Sequence, residues 1–190
     1  IYGCVGAYGQ EIKDNLIRVR IYDGKKAVWV LKNQCRFHYR DSIFKRKKDW
    51  IILGAEFKFK KQDPKELSQV SKEIIKLREK KYPPGLMCPG SFFKNIVVKN
   101  IKPAALRVQF LKKVPPEKVM YGKVAAGILL ELVGAKGLAC GDIEVAGHHG
   151  NLIYNLGRGN AAQVRALAKT LKAKVKKKFG VELEEEIQYV

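Results

Sequence analysis

The chain has 190 residues, of which 46% are hydrophobic, enough for the core of one large domain or of two small ones. Its 38 lysines and arginines outnumber its 18 acidic residues, which gives a formal net charge of +20. Such a charge attracts polyanions, so nucleic acids and phosphorylated small molecules are both open as partners. The longest apolar stretch, residues 124–133, is too short for a bilayer and contains Gly127 and Glu131, so we expect no membrane span.

The cysteines and histidines do not predict a metal site. The four cysteines are far apart and form no C-x-x-C pair, which is typical of a reduced cytoplasmic protein: Cys4, Cys35, Cys88 and Cys140. His148 and His149 are adjacent, so on an extended chain they point in opposite directions, and no third ligand stands at a suitable spacing. We therefore expect small buried thiols, hydrogen-bonded histidines and no bound metal.

The first third of the chain predicts antiparallel strands followed by a helix. Residues 17–22 alternate apolar and basic side chains, and the Asp23-Gly24 turn leads into residues 27–31, which predicts a β-hairpin. A further strand is expected over residues 50–60. A helix begins at the capping residue Asp63 and ends before Pro83-Pro84-Gly85, where we place a domain boundary.

The remainder mixes helices and strands without βαβ regularity, so the expected class is α+β. Residues 123–133 predict a helix, residues 152–154 a short strand, and residues 99–122, rich in proline, remain unassigned. The clearest helix begins after Asn160 and ends at Gly180. The last ten residues alternate as a strand, with Glu182, Glu184 and Glu186 on one face.

Three groups of residues could carry chemistry, and each has a structural alternative. Arg40, next to Asp41 and Ser42, could present its planar fork to an anion or stack on an aromatic cofactor, or it could form an ordinary surface ion pair. Ser91 in CPGSFFKN could donate a proton beside a cationic group, or simply bond the backbone of its turn. A carboxylate of residues 182–186 could face a pocket, or only balance the lysines before it.

Several blocks, taken together, resemble the UDP-N-acetylenolpyruvoylglucosamine reductase (MurB) family. The blocks are GAYGQEI (6–12), CRFHYRDSIFK (35–45), PGSFFKN (89–95), KVAAGILLELVGAKG (123–137), HHGNLIYNLGRGNAAQV (148–164) and FGVELEEEI (179–187). They follow one another in the family's order and cover nearly the whole chain. The chain departs from the pattern at Ile96, where the family usually has proline, and at His148-His149-Gly150-Asn151, where the family has K-H-A-N.

The resemblance implies an FAD-dependent enzyme of peptidoglycan synthesis in which NADPH provides the reducing equivalents. The substrate would be UDP-N-acetylglucosamine enolpyruvate and the product UDP-N-acetylmuramate. By motif, Ser91 matches the serine that protonates the substrate carbon, and Arg40 and Glu186 match the arginine and glutamate that flank the enolpyruvyl group. Residues Gly6, Ala7, Tyr8 and Gly9, together with Arg40, match the flavin side, whereas Lys81, Asn95, Lys136 and His149 match positions around the UDP-sugar.

The resemblance also implies a domain plan. Residues 1–84 would be a remnant of an FAD-binding α+β domain, residues 85–180 a C-terminal α+β substrate-binding domain, and residues 181–190 a strand that returns to the FAD domain with Glu186. We expect the N-terminal flavin-binding subdomain to be absent, and we expect a cytoplasmic monomer without nucleic acid or membrane partners. Two other interpretations remain open: a basic nucleic-acid-binding module, and a fragment that binds the UDP-sugar without reducing it.

Overall fold

The computed structural model describes residues 1–82 and 85–189, apart from the side chains of Lys80 and Lys81. The chain divides into two compact units, Ile1–Val70 and Ser71–Val190. Antiparallel sheets and helices occur together, which confirms the predicted α+β class. The boundary expected at Pro83-Pro84-Gly85 lies mostly outside the described residues, so the domain limits 1–84, 85–180 and 181–190 stay predictions.

The first unit is built on a three-stranded antiparallel sheet of order β4-β3-β5, beside a small β1-β2 hairpin. The predicted hairpin is present, because Asp23 Oδ1 accepts hydrogen bonds from the amides of Lys25 and Lys26 and closes the turn. Leu16, Val19 and Ile21 of β3 pack with Cys35 and Phe44 in a small core. The bounds are β1 Gly6–Ala7, β2 Gln10–Glu11, β3 Leu16–Tyr22, β4 Ala27–Leu31 and β5 Ile51–Phe57.

The first helix, α1 (Pro64–Lys81), begins where the sequence predicts, and Asp63 Oδ1 accepts from the amide of Lys65 at its start. The division between the two units falls inside this helix. Its apolar side chains at helical spacing are largely exposed, with Leu77 60% exposed. The start and end signals therefore predict the helix and say nothing about its burial.

The second unit packs three helices and short strands around a larger core that includes Phe92, Phe110, Leu129 and Leu171. Two three-stranded antiparallel sheets have the orders β6-β8-β7 and β11-β10-β9. The strands are β6 Ile96–Val97, β7 Val119–Met120, β8 Lys123–Val124, β9 Ala139–Cys140, β10 Ile143–Val145 and β11 Ile153–Asn155. The helices are α2 Ala104–Lys112, α3 Ala126–Leu132 and α4 Ala161–Phe179.

Two parts of this unit differ from the prediction. Helix α2 lies within residues 99–122, for which the sequence predicts no element; Pro103 precedes the helix as its N-cap and does not interrupt it. Residues 181–189, the last ones described, form no regular strand: Glu185 makes only an isolated antiparallel bridge with Phe93. Both of these segments nevertheless contribute to the core, through Phe110, Val181 and Leu183.

None of the helices within the described residues is long and apolar enough to cross a membrane.

Candidate functional site

In the first unit, Arg40 is fixed against the β1-β2 hairpin. Its Nη1 donates to the carbonyl of Cys4 at 3.2 Å, its Nη2 donates to the carbonyl of Gly6, and its Nη1 lies 3.7 Å from Glu11 Oε1. The guanidinium carbon also lies 5.0 Å from the centre of the Tyr39 ring. The side chain of Arg40 is only 15% exposed, so its plane and its charge are held in one place.

The hairpin itself brings together the four residues predicted on the flavin side. Tyr8 and Gly9 form its turn with φ values of +51° and +80°, which makes the reversal tight. A Cβ on Gly6 would lie 2.7 Å from the Gln10 carbonyl oxygen and 3.2 Å from Arg40 Nη1, so a side chain there would displace the guanidinium. Gly6, Ala7, Tyr8, Gly9 and Arg40 are thus one local structure.

The neighbours of Arg40 hold other groups instead. Asp41 forms an ion pair with Arg46, with 2.6 Å between Oδ2 and Nη1, and the Ser42 hydroxyl donates to the carbonyl of Tyr2. The contacts of the Arg40 guanidinium with Glu11 and with the carbonyls of Cys4 and Gly6 are ones that the sequence did not single out. The hydrogen bond from Lys13 to Glu11 also raises the pKa of Lys13.

In the second unit, Ser91 lies on an irregular extended segment between two others. Ser91 bridges Leu152 on one side, and on the other side the amide of Glu186 donates to the carbonyl of Phe92 at 2.8 Å. Ser91 and Glu186, the predicted catalytic pair of this unit, are therefore placed on adjacent backbone segments.

The segment is anchored by a buried amide that motif reasoning did not single out. Asn151, 3% exposed, accepts from the amide of Phe93 at 2.8 Å through Oδ1 and donates to the carbonyl of Phe93 at 2.9 Å through Nδ2. Phe92 and Phe93 are each 1% exposed and pack edge to face. Two buried rings and one buried amide thus fix the backbone on which Ser91 sits.

The side chain of Ser91 is partly buried and contacts a tyrosine. The Tyr82 hydroxyl lies 3.3 Å from Ser91 Oγ, and either oxygen can be the donor. The nearby Lys94, the lysine of the CPGSFFKN segment, pairs with the carboxylate of Glu184. No sequence signal predicted the Tyr82 contact, since it depends on the path of the chain after α1.

Three of the residues predicted around the UDP-sugar contact or flank helix α3. Asn95 Oδ1 accepts from the amide of Ala126 at 3.2 Å, and Lys136 Nζ lies 3.2 Å from Glu131 Oε2. The ring of His149 packs so closely on the helix that a Cβ at Gly127 would lie 3.0 Å from its Cε1. The fourth, Lys81, ends α1, and its side chain lies outside the described residues.

His149 is also tied to the Ser91 segment. Its Nδ1 accepts from the amide of Asn151 at 3.1 Å, and the side chain of Asn151 in turn holds Phe93. Among the described residues, no three or more His, Cys, Asp or Glu side chains come together in a way that could bind a metal ion.

Comparisons with known proteins agree on one family. The family model described as "UDP-N-acetylenolpyruvoylglucosamine reductase, C-terminal domain" matches residues 83–190, more than half of the chain. A protein of Solibacter usitatus named UDP-N-acetylenolpyruvoylglucosamine reductase is 44% identical over 190 residues, which are 100% of this chain and 59% of that protein. A protein of the same name from Pseudothermotoga lettingae is 32% identical over 99% of this chain and 57% of its own length.

A solved structure shares the fold. The crystal structure of UDP-N-acetylenolpyruvylglucosamine reductase (MurB) from Thermus caldophilus matches with a TM-score of 0.71 and 24% identity, over 98% of this chain and 57% of that one. The chain thus has the α+β fold of a reductase and spans less than two thirds of the length of these relatives. It belongs to the UDP-N-acetylenolpyruvoylglucosamine reductase family.

Proposed function

We propose that this chain carries the residues that bind and protonate the substrate in an FAD-dependent, NADPH-driven reductase. The reaction converts UDP-N-acetylglucosamine enolpyruvate to UDP-N-acetylmuramate, for peptidoglycan synthesis in the cytoplasm. The observation that carries the proposal is the placement of Ser91 and Glu186 on hydrogen-bonded neighbouring segments, in a chain that belongs to this reductase family.

The residues that would hold FAD are those of the β1-β2 hairpin with Arg40. They fit such a group because Gly9 leaves open space beside the turn and because the hairpin carbonyls fix a planar guanidinium, which suits an aromatic ring system or an anion. When bound, FAD supplies hydride that originates from NADPH.

The protein's part in the reaction is to hold charge and to deliver one proton. Ser91 Oγ holds the proton that goes to the substrate carbon: the O–H bond breaks as the C–H bond forms. The fixed positive charge of Arg40 stabilises the negative charge that develops next to the carboxylate of the enolpyruvyl group. The carboxylate of Glu186 orients the enolpyruvyl group of the substrate, whose carbon accepts the proton. Lys81 and Lys136 act as point charges for the diphosphate, and Asn95 and His149 provide polar contacts for the sugar nucleotide.

Substrate binding is tested first, by isothermal titration of UDP-N-acetylglucosamine enolpyruvate into this chain. Lys136→Ala should weaken binding about tenfold, the worth of one charge-assisted hydrogen bond. Lys81→Ala should act in the same direction. Lys169→Ala, which removes an exposed lysine of α4, is the matched control and should leave the affinity unchanged. Absence of any binding, or equal loss in all three variants, contradicts the proposal.

Chemistry is tested in a completed enzyme, in which the chain is joined to the part of the Solibacter usitatus relative outside the match. Ser91→Ala should leave reduction of the flavin by NADPH intact and slow its reoxidation by the substrate at least about a hundredfold. Equal slowing of both half-reactions would rule out the proton-donor role of Ser91. Substrate binding without reduction would indicate a protein that only binds the UDP-sugar.

A further inference from the structure

The side chain of Ser91 lies within hydrogen-bond distance of the Tyr82 hydroxyl. Their oxygens are 3.3 Å apart, both side chains are partly buried, and both residues belong to the second unit. Lys94, the nearest cation along the chain, is engaged by Glu184. A serine that loses its proton therefore has a phenol, and not an ammonium group, within hydrogen-bond distance in the described part of the chain.

Tyr82 is held in place from its own side. Its amide donates to the carbonyl of Arg78 at 2.7 Å, which continues the hydrogen bonding of α1 by one residue. The guanidinium carbon of Arg78 also lies 5.3 Å from the centre of the Tyr82 ring. The end of α1 thus presents the phenol, while Asn151 and the two buried phenylalanines fix the backbone of Ser91.

From this geometry we propose that Tyr82 is a positioning residue that acts through Ser91: it donates a hydrogen bond to Ser91 Oγ and returns the proton that the serine gives away. The inference rests on the proposed proton-donor role of Ser91. As the C–H bond forms on the substrate, the Ser91 O–H bond breaks and leaves an alkoxide. The Tyr82 O–H bond then breaks, its proton passes to Ser91 Oγ, and the phenolate takes a proton from water at its partly exposed edge.

The chemistry favours this direction of transfer. A phenol is a stronger acid than an aliphatic alcohol, so an alkoxide at Ser91 takes the phenolic proton readily. A hydrogen bond to an oxygen that is becoming charged is stronger than one between neutral groups, so Tyr82 lowers the barrier most when the serine proton is leaving.

The test uses Tyr82→Phe, which keeps the ring and removes only the hydroxyl. Tyr121→Phe is the matched control, because that side chain is 95% exposed. In the 190-residue chain, Tyr82→Phe should leave the melting temperature unchanged. It should also leave the affinity for UDP-N-acetylglucosamine enolpyruvate within about twofold of the parent. In the completed enzyme it should leave flavin reduction by NADPH unchanged and slow reoxidation by the substrate about tenfold.

A double-variant cycle separates this inference from the proposed function. If Tyr82 acts through Ser91, Tyr82→Phe should have no effect on reoxidation in the Ser91→Ala background. The same tenfold loss in both backgrounds, or no loss in either, overturns the role of Tyr82 even if Ser91→Ala alone is defective. If Ser91→Ala alone has no effect, the proton-donor role of Ser91 itself has failed.

Discussion

Three side chains expected around the UDP-sugar already bond within the protein. Asn95 holds the amide of Ala126, His149 accepts from the amide of Asn151, and Lys136 pairs with Glu131. Each of these contacts restricts the side chain before any ligand arrives, which lowers the entropy lost on binding. An anionic ligand of Lys136 would share or displace the Glu131 carboxylate, and a diphosphate has the charge to do so.

The core of the first unit contains a buried thiol whose protonation links the stability of the protein to pH. Cys35 is 0% exposed, and burial raises the pKa of its thiol to about 11 from a reference of 9.0. Between those values the unfolded chain releases the proton while the folded chain keeps it, so the folded state binds more protons and stability falls as pH rises. The stabilisation that depends on the neutral thiol is complete below pH 9 and is lost toward pH 11.

We expect the free energy of unfolding to fall by about 2 kcal/mol more in the parent than in Cys35→Ala between pH 9 and pH 11. The measurement is urea denaturation at a series of pH values, with the difference between the two proteins plotted against pH. Because lysines and tyrosines titrate equally in both, they cancel in that difference. A flat difference would show that Cys35 is not buried as a neutral thiol.

At the scale of elements, α4 is the part that its sequence specifies most completely. Asn160 and Gln163 form a reciprocal capping box, with 3.1 Å in both hydrogen bonds, and Gly180 ends the helix with a φ of +75°. A Cβ at Gly180 would lie 2.7 Å from Leu106 Cδ1, so the same glycine also allows the close approach of α2.

Asn160→Ala should lower the free energy of unfolding by about 1 kcal/mol, because it leaves a helix amide without its acceptor. Asn160→Asp keeps an acceptor at the same position and adds a negative charge at the helix start, so it should be neutral or slightly stabilising. Thermal unfolding followed by circular dichroism distinguishes the two. Equal losses in both variants would mean that the side chain of Asn160 matters for something other than capping.

Local signals predicted the elements with clear caps and turns, missed one helix, and were insufficient for the contacts between elements. The caps of α4, the Asp23-Gly24 hairpin and the start of α1 are all decided within a few residues, and all three are confirmed. Helix α2 was missed because prolines on both sides of it hid a nine-residue helix of low amphipathicity. The bonds of Asn151 to Phe93, 58 residues away, and of Tyr82 to Ser91 depend on how distant segments meet, which no local pattern encodes.

For the candidate site, too, local motifs predicted residues but not the contacts between distant segments. Motif resemblance proposes Ser91, Glu186, Arg40 and the hairpin residues as site residues, and the structure places Ser91 next to the Glu186 segment and Arg40 on the hairpin. It did not identify the groups that hold them, namely Glu11 for Arg40 and Asn151 for the Ser91 segment. Such supporting residues come from elsewhere in the chain, and their side chains have no spacing of their own.

At the scale of the whole molecule, the net charge of +20 is spread over separate elements. Several lysines of the second unit are neutralised locally: Lys172 pairs with Glu185, Lys176 with Glu182, and the hydrogen bond from Lys176 lowers the pKa of Glu182. A distributed charge gives long-range attraction to anions of any kind, and this attraction weakens as the salt concentration rises.

We therefore expect single-stranded oligonucleotides of unrelated sequence to bind equally and weakly, and to be released between 50 and 200 mM salt. The affinity for the UDP-sugar should fall less than about tenfold over the same range, because this ligand carries far fewer charges than an oligonucleotide. Fluorescence anisotropy and titration calorimetry measure the two. Sequence preference, or oligonucleotide binding that persists at 200 mM salt, would favour a nucleic-acid-binding module instead.

The link from His149 through Asn151 to Phe93 also makes ligand occupancy observable without turnover. The Asn151 amide proton is held by an imidazole ring and the Phe93 amide proton by a side-chain amide, so each exchanges with deuterium when its acceptor turns away. A sugar nucleotide that reorients His149 would change the exchange rates of both, although Phe93 is deeply buried. In an isotopically labelled chain, those two amide signals would follow, in solution, how binding on the His149 side reaches the backbone next to Ser91.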